Sequence, residues 1–161
     1  DVIPDEGVAL IVIAPRLPCT FQRNDQLAVG LNGGELVRRS GTFRALGSDI
    51  DSAAVDLTLD NAERAGIRSK ISCHTENVKN FVPPAEPFVL ITNPPYGERM
   101  LTVEQAEELY RVMGQAFEPG EGRSYYVISP HEQFERLFGR AASRRRKLYN
   151  GNIKCILYMF F

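Results

Sequence analysis

The chain has 161 residues, of which 43% are hydrophobic and 24% charged, and its formal net charge is −1. These values predict one soluble globular domain with a sizeable core, and the near-neutral charge gives no overall indication of nucleic-acid binding. Three separated cysteines without metal-ligand spacing favour a reduced, cytoplasmic setting and predict no metal site. Because no apolar run reaches membrane-spanning length, we expect no membrane partner.

Residues 1–41 give the weakest structural pattern. The apolar stretch 8–14 fits either a strand or the end of a helix, and the prolines and glycines that follow it interrupt any long element. From residue 42 onward, strand and helix patterns alternate regularly. Four apolar runs have the length and composition of buried strands: 42–48, 69–74, 86–92 and 123–129.

Three helices are predicted between and after these strands. The first starts near Ser52 and stops at Gly66, and the second starts at a capping box formed by Thr102 and Gln105. The third is predicted from the N-cap residue Ser129 to Gly139. The residues expected on the buried helix faces are Val55, Leu59, Ala62, Ala106, Leu109, Tyr110, Met113, Phe117, Phe134, Leu137 and Phe138.

The last part of the chain reads as a β-hairpin. Segments 145–149 and 152–160 flank the dipeptide Asn150-Gly151, which is typical of a two-residue turn. Alternating strands and helices predict an α/β fold, a mainly parallel sheet with helices on both faces and a C-terminal antiparallel hairpin.

The most informative motif is Asn93-Pro94-Pro95-Tyr96, directly after the strand predicted at 86–92. Two prolines fix φ and remove two N–H groups, so the loop is stiff. Asn93 Oδ1 and the Pro94 carbonyl can accept the two N–H bonds of an exocyclic amine, and Tyr96 can stack on the ring that carries it. The alternative is a structural turn with Tyr96 packed on the core.

Polar residues also follow the neighbouring predicted strands. Asp49 ends one of them, where acids in nucleotide-binding α/β folds bind ribose hydroxyls, whereas Asp51 fits a helix start. An equally good interpretation is that both acids only stabilise the N-terminus of the following helix through its dipole. Asn77 follows the next strand and could meet the edge of an adenine, or it could be an ordinary loop residue.

A basic cluster lies near the C-terminal hairpin. Phosphate contact and protection of an exposed sheet edge are equally good interpretations of this cluster. Its members are Arg140, Arg144, Arg145, Arg146 and Lys147.

The motif at 93–96 resembles that of class I methyltransferases that act on exocyclic amino groups. Three further stretches make the resemblance to one family more specific: residues 47–51, 97–99 and 147–151. Together they resemble the large-subunit rRNA guanine-N2 methyltransferases that carry an upstream THUMP RNA-binding domain. The resemblance implies a Rossmann-like methyltransferase domain over residues 1–161, with S-adenosylmethionine (SAM) as methyl donor and large-subunit rRNA as partner.

The resemblance also implies residue roles. Asp49 would bind the SAM ribose, and Asn93 would contact both SAM and the target amine. Pro94 and Pro95 would complete the amine-binding loop, with Tyr96 stacking on the base. Asn77 falls where the family usually has an aspartate that reads the adenine amine, so an acceptor is kept and a charge is lost.

The sequence departs from the family in one respect, which concerns the part of the domain that binds SAM, the methyl donor. Residues 3–10 resemble what normally follows the glycine-rich SAM loop, so the sequence is expected to be a fragment without that loop, the first strand and the THUMP domain. Two other functions remain open: a DNA or RNA adenine-N6 methyltransferase, and a non-catalytic remnant that binds RNA without SAM.

Overall fold

The computed structural model describes residues 10–15, 43–96, 101–150 and 152–161, which form a mixed α/β structure around one sheet. Its strands are β1 (Leu10–Pro15), β2 (Phe43–Asp49), β3 (Ile71–Thr75), β4 (Phe88–Thr92), β5 (Arg123–Ser129), β6 (Arg144–Asn150) and β7 (Ile153–Phe160). Its helices are α1 (Ser52–Arg64), α2 (Val103–Ala116) and α3 (Phe134–Phe138). Among these residues, no helix has the length and apolar character needed to cross a membrane.

Within the described residues, the sheet has the order β3-β2-β1-β4-β5-β7-β6. The pairs β2–β3 and β4–β5 are parallel, and the C-terminal hairpin adds β7 antiparallel to β5. The predicted α/β sheet with a terminal antiparallel hairpin is thereby confirmed, but the described sheet is mixed rather than mainly parallel, because β1 also pairs antiparallel with its neighbours.

The middle of the sheet differs from the expectation of a missing first strand. That position is filled by β1, which pairs antiparallel with both β2 and β4. Leu10 lies opposite both Ser48 and Thr92, so the amino end of β1 lies at the edge where β2 and β4 end. The two neighbouring strands therefore keep a common direction, but the strand between them runs the other way.

The main core lies where α2 and α3 cover the β4–β5–β7 part of the sheet. The predicted stripe of α2 is buried, and its last residue, Phe117, stacks on Tyr125 with ring centroids 5.2 Å apart. The capping box of Thr102 and Gln105 is present, so the helix begins where the sequence predicted. Helix α1 packs on β2 and β3 and ends before Gly66, whose φ of 68° is in the left-handed region.

Two local predictions were wrong. Helix α3 begins at Phe134 rather than just after Ser129, because Ser129 pairs with Ile156 of β7 and is held in the sheet. The hairpin turn does not begin at Asn150, since Asn150 pairs with Ile153 and so belongs to β6. Predictions on 1–9, 16–42, 97–100 and Gly151 lie outside the described residues.

Close packing of α2 on α3 requires a residue without a side chain at position 114. A Cβ added to Gly114 would lie 2.0 Å from the carbonyl oxygen of Phe138. Alanine is normally more stable than glycine in a helix interior. A loss of stability on replacing Gly114 by alanine would therefore report the steric conflict alone.

We therefore expect Gly114→Ala to lower the free energy of unfolding by about 1–3 kcal/mol, the usual cost of overpacking. Urea denaturation measures the change. Gln115→Ala, one residue along and exposed, is the control and should be nearly neutral. An equal midpoint for Gly114→Ala and the wild type would show that the helices separate without cost.

Candidate active site

The proline-containing loop extends β4 at the carboxyl edge of the sheet. Thr92 is the last strand residue and is buried, and Pro94 is buried completely, whereas the side chain between them, Asn93, is exposed. The chain is therefore anchored on both sides of an amide that faces solvent. This arrangement suits a side chain that must meet a ligand in a fixed direction.

Tyr96 folds back over its own loop. Its hydroxyl donates a hydrogen bond to Asn93 Oδ1, and its ring is partly buried. An amide oxygen has two lone pairs, so this bond leaves Asn93 Oδ1 able to accept a second donor. The structure thus places the predicted amine acceptor and the predicted stacking ring in direct contact.

A line of hydrogen bonds lies behind this loop. The Tyr110 hydroxyl of α2 lies 3.5 Å from the Pro95 carbonyl oxygen, and it accepts a bond of 3.2 Å from Ser129 Oγ at the end of β5. Ser129 Oγ in turn accepts from the His131 backbone N–H at 3.1 Å. Burial raises the pKa of Tyr110 to about 12, so its hydroxyl is a permanent donor near neutral pH.

Asp49 ends β2 two strands away from the loop. Its side chain is only 9% exposed, and Oδ1 accepts from the Asp51 backbone N–H at 2.9 Å. No described group donates to its other oxygen, which is therefore available to a hydroxyl. Asp51 caps α1 by accepting from the N–H of Ala53, so the helix-start interpretation of Asp51 is confirmed.

A cavity of about 260 Å³ lies between the end of β2 and the segment after β3, and its lining includes Ser48, the residue that precedes Asp49. Gly47, His74 and Asn77 are among the residues that line it. Its volume is below the roughly 300–1,000 Å³ of sites that enclose a whole drug-sized ligand, so it suits part of a larger ligand, such as a nucleobase.

Asn77 lines this cavity, but its amide oxygen already has a structural role. Oδ1 caps the short 3-10 turn Val78–Asn80 by accepting from the Lys79 N–H at 3.0 Å. The neighbouring Glu76 supplies a charge that the sequence interpretation missed. Hydrogen bonds from the Asn80 side chain and the Asn77 backbone lower the pKa of Glu76, which is therefore a carboxylate at the cavity wall.

The loop and Asp49 lie on either side of β1. Adjacent strands are spaced about 4.8 Å apart, so the ends of β2 and β4 are separated by about 10 Å. In α/β sheets, ligands bind at the carboxyl ends of the strands where the strand order reverses, which here is between β1 and β4. The cavity, Asp49 and the loop thus form one candidate site along this edge.

The basic residues do not form one patch. Arg145 makes a 2.7 Å ion pair with Glu135, and the guanidinium of Arg144 lies 6.0 Å from the Phe161 ring centroid. Because side chains alternate along a strand, Arg144 and Arg146 face one side of β6 and Arg145 and Lys147 face the other. Arg140 is separate from them and donates to the Phe117 carbonyl while lying over the Phe138 ring.

Comparison with known proteins gives the family. The family described as UPF0020, RMKL-like, methyltransferase domain, matches residues 18–159. The chain belongs to this family.

The curated relatives and solved structures match this chain only in part. YpsC of Bacillus subtilis, named as a candidate RNA methyltransferase, is 42% identical over 114 residues, which are 71% of this chain and 30% of YpsC. The ribosomal RNA large subunit methyltransferase K/L of Methylococcus capsulatus is 34% identical over 71% of this chain. The chain spans 16% of that enzyme's length.

Solved structures agree with the family. SMU.472, described as a candidate methyltransferase in complex with SAH, has a TM-score of 0.68 at 36% identity, over 72% of this chain and 31% of its own. A Listeria monocytogenes protein, described as a predicted N6-adenine-specific DNA methylase, has a TM-score of 0.62 at 33% identity, over 72% of this chain and 30% of its own. The UPF0020 assignment thus confirms the predicted methyltransferase fold.

Sequence interpretation missed Tyr110 and Ser129 as members of the site. Tyr110 was placed only in the apolar stripe of α2, and Ser129 only at the end of a strand and the start of a helix. One signal was present: Ser129 ends the strand next to β4, so its side chain had to lie near the loop. Among the described residues, no group of three or more His, Cys, Asp or Glu side chains could hold a metal ion.

The burial of Tyr110 predicts a stability change at high pH. A tyrosine whose pKa is raised from 10 to about 12 by folding stabilises the native state below pH 10, and this contribution is lost as the pH rises towards 12. Two pKa units correspond to about 2–3 kcal/mol. Urea denaturation at several values between pH 9 and 12 should show this loss, and Tyr110→Phe should reduce its size. Equal pH dependence of both proteins would contradict the burial of the hydroxyl.

Proposed function

We propose that this chain is the catalytic part of a SAM-dependent RNA methyltransferase that modifies the exocyclic N2 of a guanine in large-subunit rRNA, in the cytoplasm. One observation carries the proposal: Asn93 is exposed beside a fully buried Pro94 at the carboxyl end of β4. The K/L relatives, which are named for the large ribosomal RNA subunit, support the choice of substrate.

The loop has the acceptors that an amine requires. Asn93 Oδ1 and the Pro94 carbonyl would each accept one N–H bond of the target NH₂ group. Because the lone pair of a guanine amine is delocalised into the ring, the amine is a poor nucleophile. Two acceptors favour a tetrahedral nitrogen and aim its lone pair, so the loop would catalyse the reaction by orientation.

Two further requirements of the reaction are a surface that holds the target base and a path for the amine proton. Tyr96 would turn from Asn93 to stack on the base, which must leave the RNA structure to reach the loop. The amine proton can pass to water after transfer, so the described residues need not supply a strong base.

The described residues fit the nucleoside end of SAM. Asp49, with one oxygen available, would bind ribose hydroxyls, and the cavity lined by Asn77 would take the adenine. Bound SAM supplies an electrophilic methyl group on a positively charged sulfur. Asn93 would lie at the junction of the two halves of the site.

RNA contact is a separate element of the proposal. Arg144, Arg145, Arg146 and Lys147 would add phosphate contacts along the edge strand β6. Arg146 suits this role better than Arg145, whose charge is already paired with Glu135. Because relatives are several times longer than the matched region, we propose that a THUMP domain upstream supplies most of the RNA affinity.

A second candidate is methylation of adenine N6. The structural neighbour from Listeria described as an N6-adenine-specific DNA methylase favours it. An adenine amine presents the same two N–H donors, so the loop alone accepts either base. A third candidate, a remnant that binds RNA without SAM, is favoured by the reversed direction of β1 at the donor side.

Replacement of Asn93 separates the two halves of the site. We expect Asn93→Ala to lower the rate of methyl transfer to RNA by at least about 100-fold, because an oriented acceptor is lost. Calorimetric titration with SAH should give nearly the same affinity as for the wild type. Asn61→Ala, at an exposed position of α1, is the matched control and should change neither quantity.

Two results would contradict the proposal. Equal loss of transfer and of SAH binding in Asn93→Ala would show that the loop has a structural role only. Absence of heat and of thermal stabilisation in the wild type with millimolar SAM would favour the non-catalytic remnant.

A further inference from the structure

The two consecutive prolines limit how the loop can be hydrogen-bonded to the rest of the protein. Pro94 and Pro95 have no N–H, so this part of the loop can be held to the protein only through its two carbonyl groups and by packing. In the proposed function, the Pro94 carbonyl is directed at the target amine. The Pro95 carbonyl is then the backbone group left to anchor the loop.

Tyr110 is the group that meets this carbonyl. Its ring is completely buried and lies edge-on to Phe134, with ring centroids 5.0 Å apart, so the hydroxyl has a fixed position. The 3.5 Å separation from the Pro95 oxygen is longer than the 2.5–3.0 Å usual for O–H···O bonds. Such contacts often shorten when a site is filled.

The hydrogen bonds behind Tyr110 favour one direction for its proton. The His131 N–H donates to Ser129 Oγ, and Ser129 Oγ–H donates to the Tyr110 oxygen. The Tyr110 proton is then available to the Pro95 carbonyl oxygen, the acceptor that the structure places 3.5 Å away. Each hydroxyl accepts once and donates once, an arrangement in which successive bonds polarise one another.

We propose that Tyr110 is a positioning residue for methyl transfer: through Pro95, its hydroxyl sets the direction of the Asn93 and Pro94 acceptors. Ser129 acts through Tyr110 and orients its proton. This inference rests on the proposed function, since it assigns Tyr110 a role in the same site. Neither residue touches the target amine.

Tyr110→Phe tests the proposal because it removes only the hydroxyl. We expect kcat to fall about tenfold, the value of one hydrogen bond, while KM for RNA and the affinity for SAH change little. Ser129→Ala should lower kcat in the same direction. The double variant should be no slower than Tyr110→Phe alone, because both changes act through one bond.

Tyr125→Phe is the matched control. Tyr125 is 1% exposed, and its hydroxyl donates to the Glu118 carbonyl oxygen at 2.6 Å, away from the loop. This variant should lose stability but not kcat. A fall in kcat of equal size in Tyr125→Phe, or an unchanged kcat in Tyr110→Phe, would overturn the proposal.

A spectroscopic measurement is independent of activity. Pro95-Tyr96 is the only Pro-Tyr pair in the sequence, so labelling proline at its carbonyl carbon with ¹³C and tyrosine with ¹⁵N gives one amide signal that reports on Pro95. Its carbonyl frequency should move in Tyr110→Phe and stay constant in Tyr125→Phe. A constant frequency in Tyr110→Phe would overturn the anchoring role even if the wild type transfers methyl groups. A moved frequency in a protein that transfers none would count against the proposed function alone.

Discussion

The candidate site depends on two consecutive peptide units that cannot donate hydrogen bonds. Pro94 and Pro95 follow a buried strand end and cannot extend the sheet ladder, so the chain must leave the sheet at Asn93. Burial of Thr92 and Pro94 holds the chain on both sides of that residue. An exposed amide on a rigid backbone, with the Pro94 carbonyl beside it, is the physical basis for the proposed amine recognition.

The region proposed to bind SAM, the methyl donor, is built from acidic and amide side chains rather than from a rigid proline loop. Asp49, Glu76 and the cavity bring acidic and amide groups to the ends of β2 and β3, which is where a nucleoside is expected to bind. Between this region and the loop, the place of the middle strand is taken by β1 in the reverse direction. Within the described residues, the loop at Asn93 therefore continues directly from a strand in the expected direction, whereas the region between it and Asp49 is occupied by a strand that runs in the opposite direction.

Most of the fold from residue 43 onward could be predicted because local signals agree with tertiary packing. The capping box at Thr102 and the terminating glycines Gly66 and Gly139 set helix ends through backbone geometry, which is local. The start of α3 could not be predicted, because cross-strand pairing held Ser129 in β5. The direction of β1 also depends on distant strands, and the apolar stretch itself has no directional signal.

Among the site residues, too, those set by local sequence could be predicted, and those set by distant contacts could not. Asn93 and Asp49 could be proposed because a polar residue at the end of a buried strand is visible in the sequence. The connection from Tyr110 to Pro95 joins residues 15 positions apart across α2 and the loop, and an apolar helical stripe gives no reason to suspect it. The alternation of Arg144 and Arg145 across β6 likewise requires the strand to be known.

The central claim is that the loop at Asn93 presents a guanine amine for methylation. The most direct test incubates the protein with unmodified large-subunit rRNA and SAM carrying a labelled methyl group, followed by digestion and identification of the labelled nucleoside. The account predicts N2-methylguanosine and no incorporation at sites where inosine, which lacks the amine, replaces guanosine. Label in N6-methyladenosine, or on a ring carbon or ring nitrogen, would contradict it.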